Sequence, residues 1–306
     1  PTAAGRQRVV TDAVGVFRAC AREQQRSGRR EDRILSVDPC VTQVTHRAAR
    51  LVVEETFRRT DAAVAADGNR ALERCWPGNG ASAARVNACV RAAIIAFGGA
   101  SGRRQLEPKV PAALLAEDPE FTARHLASLE ACLQERLPRD LIGGADITPA
   151  SDGCARQLKL NVAKAVARAE VTRTLNGQMS AEDLEALLVA QVDGAFMTCL
   201  GEDPDDEAIA RCEGNLRHDV GVRAGELLIP NAIRDYVRGR GGAAMLGTTD
   251  EALDGMIQGL VAGNTACIGT NRERLTEALD QCFRDTIHTA VGDIGVLQVR
   301  QELVRL

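Results

Sequence analysis

The sequence predicts an all-α protein, an array of five disulfide-stapled helical hairpins forming a divergent helical repeat or superhelical bundle. Ten cysteines fall in five consecutive pairs with 19, 13, 21, 12 and 14 residues between partners, an even count that suits local staples in an oxidising compartment. Aromatic residues are only 3% of the chain, and an apolar set dominated by Ala, Val, Leu and Gly favours close-packed helices over a sheet. The layout around each pair also recurs. A helix runs into the first cysteine, a polar turn follows, and the second cysteine sits early in the returning helix.

The register of that layout is helical. Three residues before the first cysteine stands a large apolar residue in four copies, Phe17, Leu72, Leu129 and Phe196, with Asn264 the exception in the fifth. Four or five residues after the second cysteine come Val44, Ile94, Leu158, Leu216 and Ile287, and spacings of three to five keep side chains on one helix face. First cysteines are 55, 57, 67 and 68 residues apart, so the repeat is a divergent one of about sixty residues whose loops absorb the insertions.

In chain order, Val10, Val14, Phe17 and Ala21 mark one face of a first helix, followed by a charged segment from Arg26 to Arg33. Asp38-Pro39 restarts a helix, with Asp38 as N-cap and Pro39 at the first helical position, where a missing N–H costs nothing. The second copy is compact, runs from Leu72 to Ile95, and ends in the breaker cluster Gly98 to Gly102. Asp118-Pro119 opens the third copy, in which Leu126, Leu129, Leu133 and Leu137 form the buried stripe. A long loop from Pro138 to Ser151 precedes a helix opened by Thr148-Pro149 and carrying Leu158, Val162, Val166 and Ala169. Ser180 with Asp183 resembles a capping box ahead of Leu184, Leu188, Val192, Phe196 and Cys199 on one face. Asp203-Pro204 opens a helix to about Leu228, a short piece covers Asn231 to Arg238, and the last copy begins near Thr249 with a return helix from about Asn271.

These boundaries give hairpins one and two over 1–100, a linker over 101–111, hairpins three and four over 112–238, a Gly-rich linker over 239–248, and a fifth hairpin over 249–306, all within one continuous array if the linkers pack. The expected disulfides are Cys20–Cys40, Cys75–Cys89, Cys132–Cys154, Cys199–Cys212 and Cys267–Cys282. The fifth pairing is the hardest to build, because a helix starting at Asn271 would bury Cys282 on the order of 16 Å from its start.

Other candidate sites resolve into structural readings. No Cys-x-x-Cys or Cys-x-x-Cys-His occurs, which argues against redox and zinc motifs. His46, His218 and His288 each lie six residues after a second cysteine, about 240° around a helix, so Cys and His cannot share a metal. A row of imidazoles is the functional reading, and inherited repeat chemistry the structural one. Gly255, Gly259 and Gly263, like Gly221 and Gly225, recur every four residues and predict close helix crossings. Asp203, Asp205, Asp206 and Glu207 suit helix capping better than calcium, whose loop spacing is absent. Gly239 to Gly242 with Arg238 and Arg240 lack a nucleotide-loop pattern and are expected to be a flexible linker.

A net charge of −4 with mixed signs provides no basic field for nucleic acid. No run reaches the 18 apolar residues that cross a bilayer, and no Asn-x-Ser/Thr acceptor occurs. The expectation is a non-enzymatic structural or protein-interaction subunit of an extracellular or envelope assembly, secreted, extracellular or periplasmic, working with a protein partner or by self-assembly. No catalytic, cofactor or metal residue is assigned. The alternatives are a carrier of an apolar small molecule or pigment in a helical cavity, and an assembly subunit of the mitochondrial intermembrane space.

Overall fold

The structure, a computed structural model, describes residues 3–27, 38–57, 62–76, 82–142, 145–270 and 275–305. It is all-helical, with 87% of the chain in helix and no strand among the described residues. The chain forms two compact units, Pro1–Asn161 and Val162–Leu306.

In the first unit, helix α1 (Ala3–Ser27) packs on α2 (Asp38–Phe57), and α3 (Ala62–Cys75) packs on α4 (Ala83–Leu106). Helix α4 also packs on α2 and on α6 (Phe121–Arg136), which follows the single turn and a half of α5 (Ala112–Glu117). The expected stripe on α6 is buried, at 4% for Leu126, 6% for Leu129, 2% for Leu133 and 3% for Leu137. The expected face of α1 is not, because Val10 is 56% and Val14 42% exposed while ion pairs Arg8–Glu55 and Asp12–Arg47 join α1 to α2. Asp118 does not cap α6. It ends α5 and receives Arg124, whereas Glu120 precedes α6 without a side-chain capping bond.

The cluster Gly98 to Gly102 lies inside α4 and does not break it, so the expected linker 101–111 begins as helix. A β-carbon at Gly98 would stand 2.5 Å from Leu133 Cδ1, and one at Gly102 2.7 Å from Leu129 Cδ2. The glycines are there because α4 and α6 cross closely. Helix α4 also holds the long loop after α6. Arg91 donates to the carbonyls of Leu137 (2.6 Å) and Pro138 (2.9 Å) at the C-terminus of α6, and Asn87 Oδ1 accepts the N–H groups of Leu141 and Ile142, both at 2.9 Å. Unmatched carbonyls at a helix end are thereby satisfied by a cation, which the macrodipole also favours.

Helix α7 (Thr148–Leu175) starts where Thr148-Pro149 predicts. Ser180 caps α8 (Ala181–Leu187), accepting from Asp183 N at 3.1 Å while its hydroxyl donates to the Asp183 carboxylate. The helix then widens into a π-helical stretch, Leu188–Phe196, before α9 (Met197–Leu200). Lys164 and Arg168 of α7 reach Asp193 in that stretch at 3.2 and 2.7 Å, and Arg168 also grips Glu185. Burial pushes the Asp193 carboxyl up, but the hydrogen bonds and charges of Arg168 and Lys164 outweigh it and hold the group below its ordinary value.

Helix α10 (Asp206–Gly239) is one 34-residue helix, although a break before Pro230 was expected. Ile229, Ile233 and Val237 are at most 3% exposed on one stripe that spans the proline, and packing of that stripe outweighs the lost backbone bond. Asp205, not Asp203, caps α10 through Ala208 N at 2.7 Å, with Asp206 and Glu207 in the first turn. Beyond α10, Gly241 and Gly242 adopt φ near +92°, and Ala243–Leu246 make one 3₁₀ turn. Ala243 and Leu246 are buried in a core with Ile257 of α11 (Asp250–Thr270) and Ile294 of α12 (Leu275–Arg305), so this stretch is a packed turn and not a flexible linker.

All five expected disulfides are present, with Cα–Cα distances from 5.3 to 5.8 Å, and among the described residues no cysteine is free. In the fifth pair Cys267 of α11 and Cys282 of α12 bring their Cα atoms to 5.8 Å. The start at Asn271, the rest of the charged segment after Ser27, and the Pro77–Gly80 turn lie outside the described residues. In each pair the second cysteine is sealed, at 1% or less for Cys40, Cys89, Cys154, Cys212 and Cys282. Cys75 and Cys199 are exposed, so Cys199 lies off the buried stripe where it was expected. Five disulfides are consistent with an oxidising compartment, and no described helix is long and apolar enough to cross a membrane.

Candidate functional site: a cavity in the second unit

The candidate site is a cavity of about 190 Å³ among α7, α10, α11 and α12. Its largest wall is one face of α10, where Glu213, Leu216, Arg217, Val220, Gly221, Ala224, Gly225 and Leu228 recur at helical spacing. Helix α7 adds Val166, Ala167, Glu170, Val171, Thr174 and Leu175, α11 adds Asn264 and Ile268, and α12 adds Phe283. The space exists because Ala167, Gly221, Ala224 and Gly225 carry little or no side chain where bulkier residues would fill the gap between helices.

Asn264 is the informative residue. It stands at the position three residues before a first cysteine, which Leu72, Leu129 and Phe196 occupy at 0%, 6% and 2% exposure. Asn264 is core as they are, at 2% exposure. Its Oδ1 makes no hydrogen bond, an arrangement that costs about 1–3 kcal/mol. Gly225 makes room for it, because a β-carbon there would lie 2.4 Å from Asn264 Nδ2. The chain therefore keeps a destabilising amide in a core position and a glycine opposite to admit it. No family model, no curated protein and no solved structure matches the chain.

Three charged groups line the cavity away from Asn264. Arg217 lies 3.4 Å from the Glu170 carboxylate, yet its Nε makes no hydrogen bond. Glu213 is held above the ordinary carboxylate value, first by burial and then by the charge of Glu170, with Arg217 opposing. A carboxyl whose folded value is raised contributes most stability below its ordinary pKa and loses that contribution as pH rises through the folded value. Glu213→Gln should therefore raise the melting temperature at pH 7 and flatten the decline of stability above the ordinary carboxylate range. Melting curves between pH 4 and 8 test this, and an unchanged or lower value at pH 7 would show that the Glu213 charge is compensated.

The remaining sequence candidates do not converge. His46 lies against Trp76 with ring centroids 4.2 Å apart and planes tilted by 54°, and its Nε2 lies 3.6 Å from Glu73. His218 Nδ1 is 2.9 Å from Asp219, and His288 is exposed. Among the described residues no three His, Cys, Asp or Glu side chains gather as metal ligands. Gly255, Gly259 and Gly263 face open space, contrary to the expected crossing, while Gly225 does mark one. Spacing alone cannot say which face of α11 is covered. The stripe of Leu253, Ile257, Leu260 and Asn264 decides that, and the glycines lie off it.

Proposed function

We propose that the chain is a non-enzymatic carrier of a small apolar molecule, held in the cavity between α7, α10, α11 and α12. What supports it is a predominantly apolar space, kept open by small residues, with one sealed amide whose oxygen has no partner. At about 190 Å³ the cavity compares with the ~150 Å³ engineered apolar cavities that take up benzene or xenon, and falls short of the roughly 300–1,000 Å³ typical of drug-sized ligands. The ligand is therefore of single-ring size. We further read the chain as an array of stapled hairpins in a secreted, extracellular or periplasmic setting. The sealing of every second cysteine supports the repeat.

Toluene tests the carrier reading. At ten times its Kd it should stabilise the protein by about 1.4 kcal/mol and raise the melting temperature by about 2–4 °C. Ala224→Phe, which places a ring in the space, should abolish that rise while circular dichroism stays helical. Absence of any shift with toluene and comparable small apolar compounds in the unaltered protein would sink the reading.

A second reading, a subunit acting through its surface, is favoured by the far end of α12, where Val296, Val299 and Leu303 are 52%, 60% and 65% exposed on one helix face. Light scattering after size exclusion separates the two. A concentration-dependent oligomer lost in Val299→Lys supports the surface reading, and a monomer that binds toluene supports the carrier.

A further inference from the structure

We infer that the cavity selects, among single-ring apolar molecules, those bearing one neutral hydrogen-bond donor, such as a hydroxyl, which pairs with the side-chain amide of Asn264. The inference rests on the carrier reading and adds the chemical class of the ligand.

Helix α11 contributes only Asn264 and Ile268 to the lining, and Gly225 of α10 lies against the amide. Ile268 and Gly225 offer no polar side chain, and the uncharged polar groups elsewhere in the lining are spent on backbone, the Thr174 hydroxyl donating to the Glu170 carbonyl and Gln178 Nε2 to the Thr174 carbonyl, both at 2.8 Å. Glu213 and Arg217 lie on the same helix as Gly225, but Arg217 is eight residues and Glu213 twelve residues earlier, about 12 and 18 Å along the axis. A molecule of single-ring size held against Asn264 therefore lies two helical turns or more along α10 from the backbone of both residues. An ionic ligand at the Asn264 end would thus be desolvated without a counter-charge, which burial penalises heavily. A neutral donor loses far less, and it supplies what the unpaired Oδ1 lacks. The amide also carries two N–H donors, so turning about its last torsion lets it serve a hydroxyl as donor or acceptor. At the matching position the other copies carry Phe17, Leu72, Leu129 and Phe196, and the last three close the core. The fifth copy alone keeps a polar group there, and its role is recognition, because it does not serve packing.

Phenol and toluene form the test pair, matched in size and differing at one group. In the unaltered protein and in Asn264→Leu, the Kd of each is measured by calorimetry or by the nuclear magnetic resonance shift of cavity methyl groups. The ratio of the toluene Kd to the phenol Kd should fall about tenfold or more in Asn264→Leu, the size expected for one buried hydrogen bond. Because the ratio is compared between two proteins, the different hydration of the two ligands cancels. As a second readout that needs no variant, the Asn264 side-chain NH₂ signal should move clearly further on adding phenol than on adding toluene, which acts on it through its ring current alone.

The outcomes separate cleanly. If neither ligand binds, the carrier reading fails and this inference with it. If both bind with a ratio unchanged by Asn264→Leu and the amide signal moves alike with the two, the carrier stands and the donor selection is wrong. Benzoate binding tighter than phenol would overturn the neutral-donor claim and redirect recognition to Arg217. Should Asn264→Leu fail to fold, the amide signal in the unaltered protein still decides.

Discussion

Cys212→Ser should lower stability by about 4 kcal/mol, and Cys199→Ser, at the other end of the same disulfide, by about 3. Either change opens the staple, whose partners are 13 residues apart, and closing a loop of that length is worth about 3 kcal/mol in the chain-entropy account. The difference between the variants comes from burial. Cys212 is 0% exposed, so the serine hydroxyl that replaces it must give up water, and its one ready acceptor is the carbonyl four residues earlier in α10. Leaving such a group poorly paired adds about 1 kcal/mol or more. Cys199 is exposed, so its serine keeps its water, and the thiol left at Cys212 behaves as a small apolar group. Urea denaturation of the two variants measures the gap. Equal losses would mean that Cys212 is not sealed, and no loss from either would mean that the staple does not form.

The fold was legible in the sequence to the extent that it rests on local rules. The five cysteine pairs, the stripe of Leu126, Leu129, Leu133 and Leu137, and the Ser180 cap each follow from spacing within one helix or one turn. What escaped depends on which surface faces which neighbour. Gly98 to Gly102 read as a breaker because glycine usually is one, yet the leucines of α6 need the space those glycines leave. Pro230 read as an end because the lost N–H is a local cost, while Ile229, Ile233 and Val237 offset it through contacts that only the assembled core provides. The cavity shows the same division. Asn264 stood out as the one polar residue in a position otherwise apolar, and that exception was the available signal. That it is buried, unpaired and opposite Gly225 required the crossing of α10 and α11.

A large effect of a single glycine should come at Gly102. A β-carbon there would meet Leu129 Cδ2 at 2.7 Å, Leu126 Cδ2 at 3.1 Å and Leu158 Cδ2 at 3.3 Å. All three leucines are at most 7% exposed, so their methyl ends have little room to retreat. Overpacking of this kind costs about 1–3 kcal/mol, while replacing a mid-helix glycine by alanine returns at most about 1. Gly102→Ala should therefore be destabilising by about 1 kcal/mol. Gly102→Leu, which drives three further carbons between the same methyls, should lose about 3 kcal/mol or more and separate α4 from α6. Gly259 is the internal control, since it lies mid-helix in α11 with nothing within 4 Å of a β-carbon. Gly259→Ala should stabilise by about 0.5–1 kcal/mol through helix propensity alone. Chemical denaturation of the three variants reads both signs at once. A Gly102→Leu protein as stable as its parent would refute the close crossing of α4 and α6, and a destabilised Gly259→Ala would mean that the open face of α11 is covered in solution, by a second molecule or a partner.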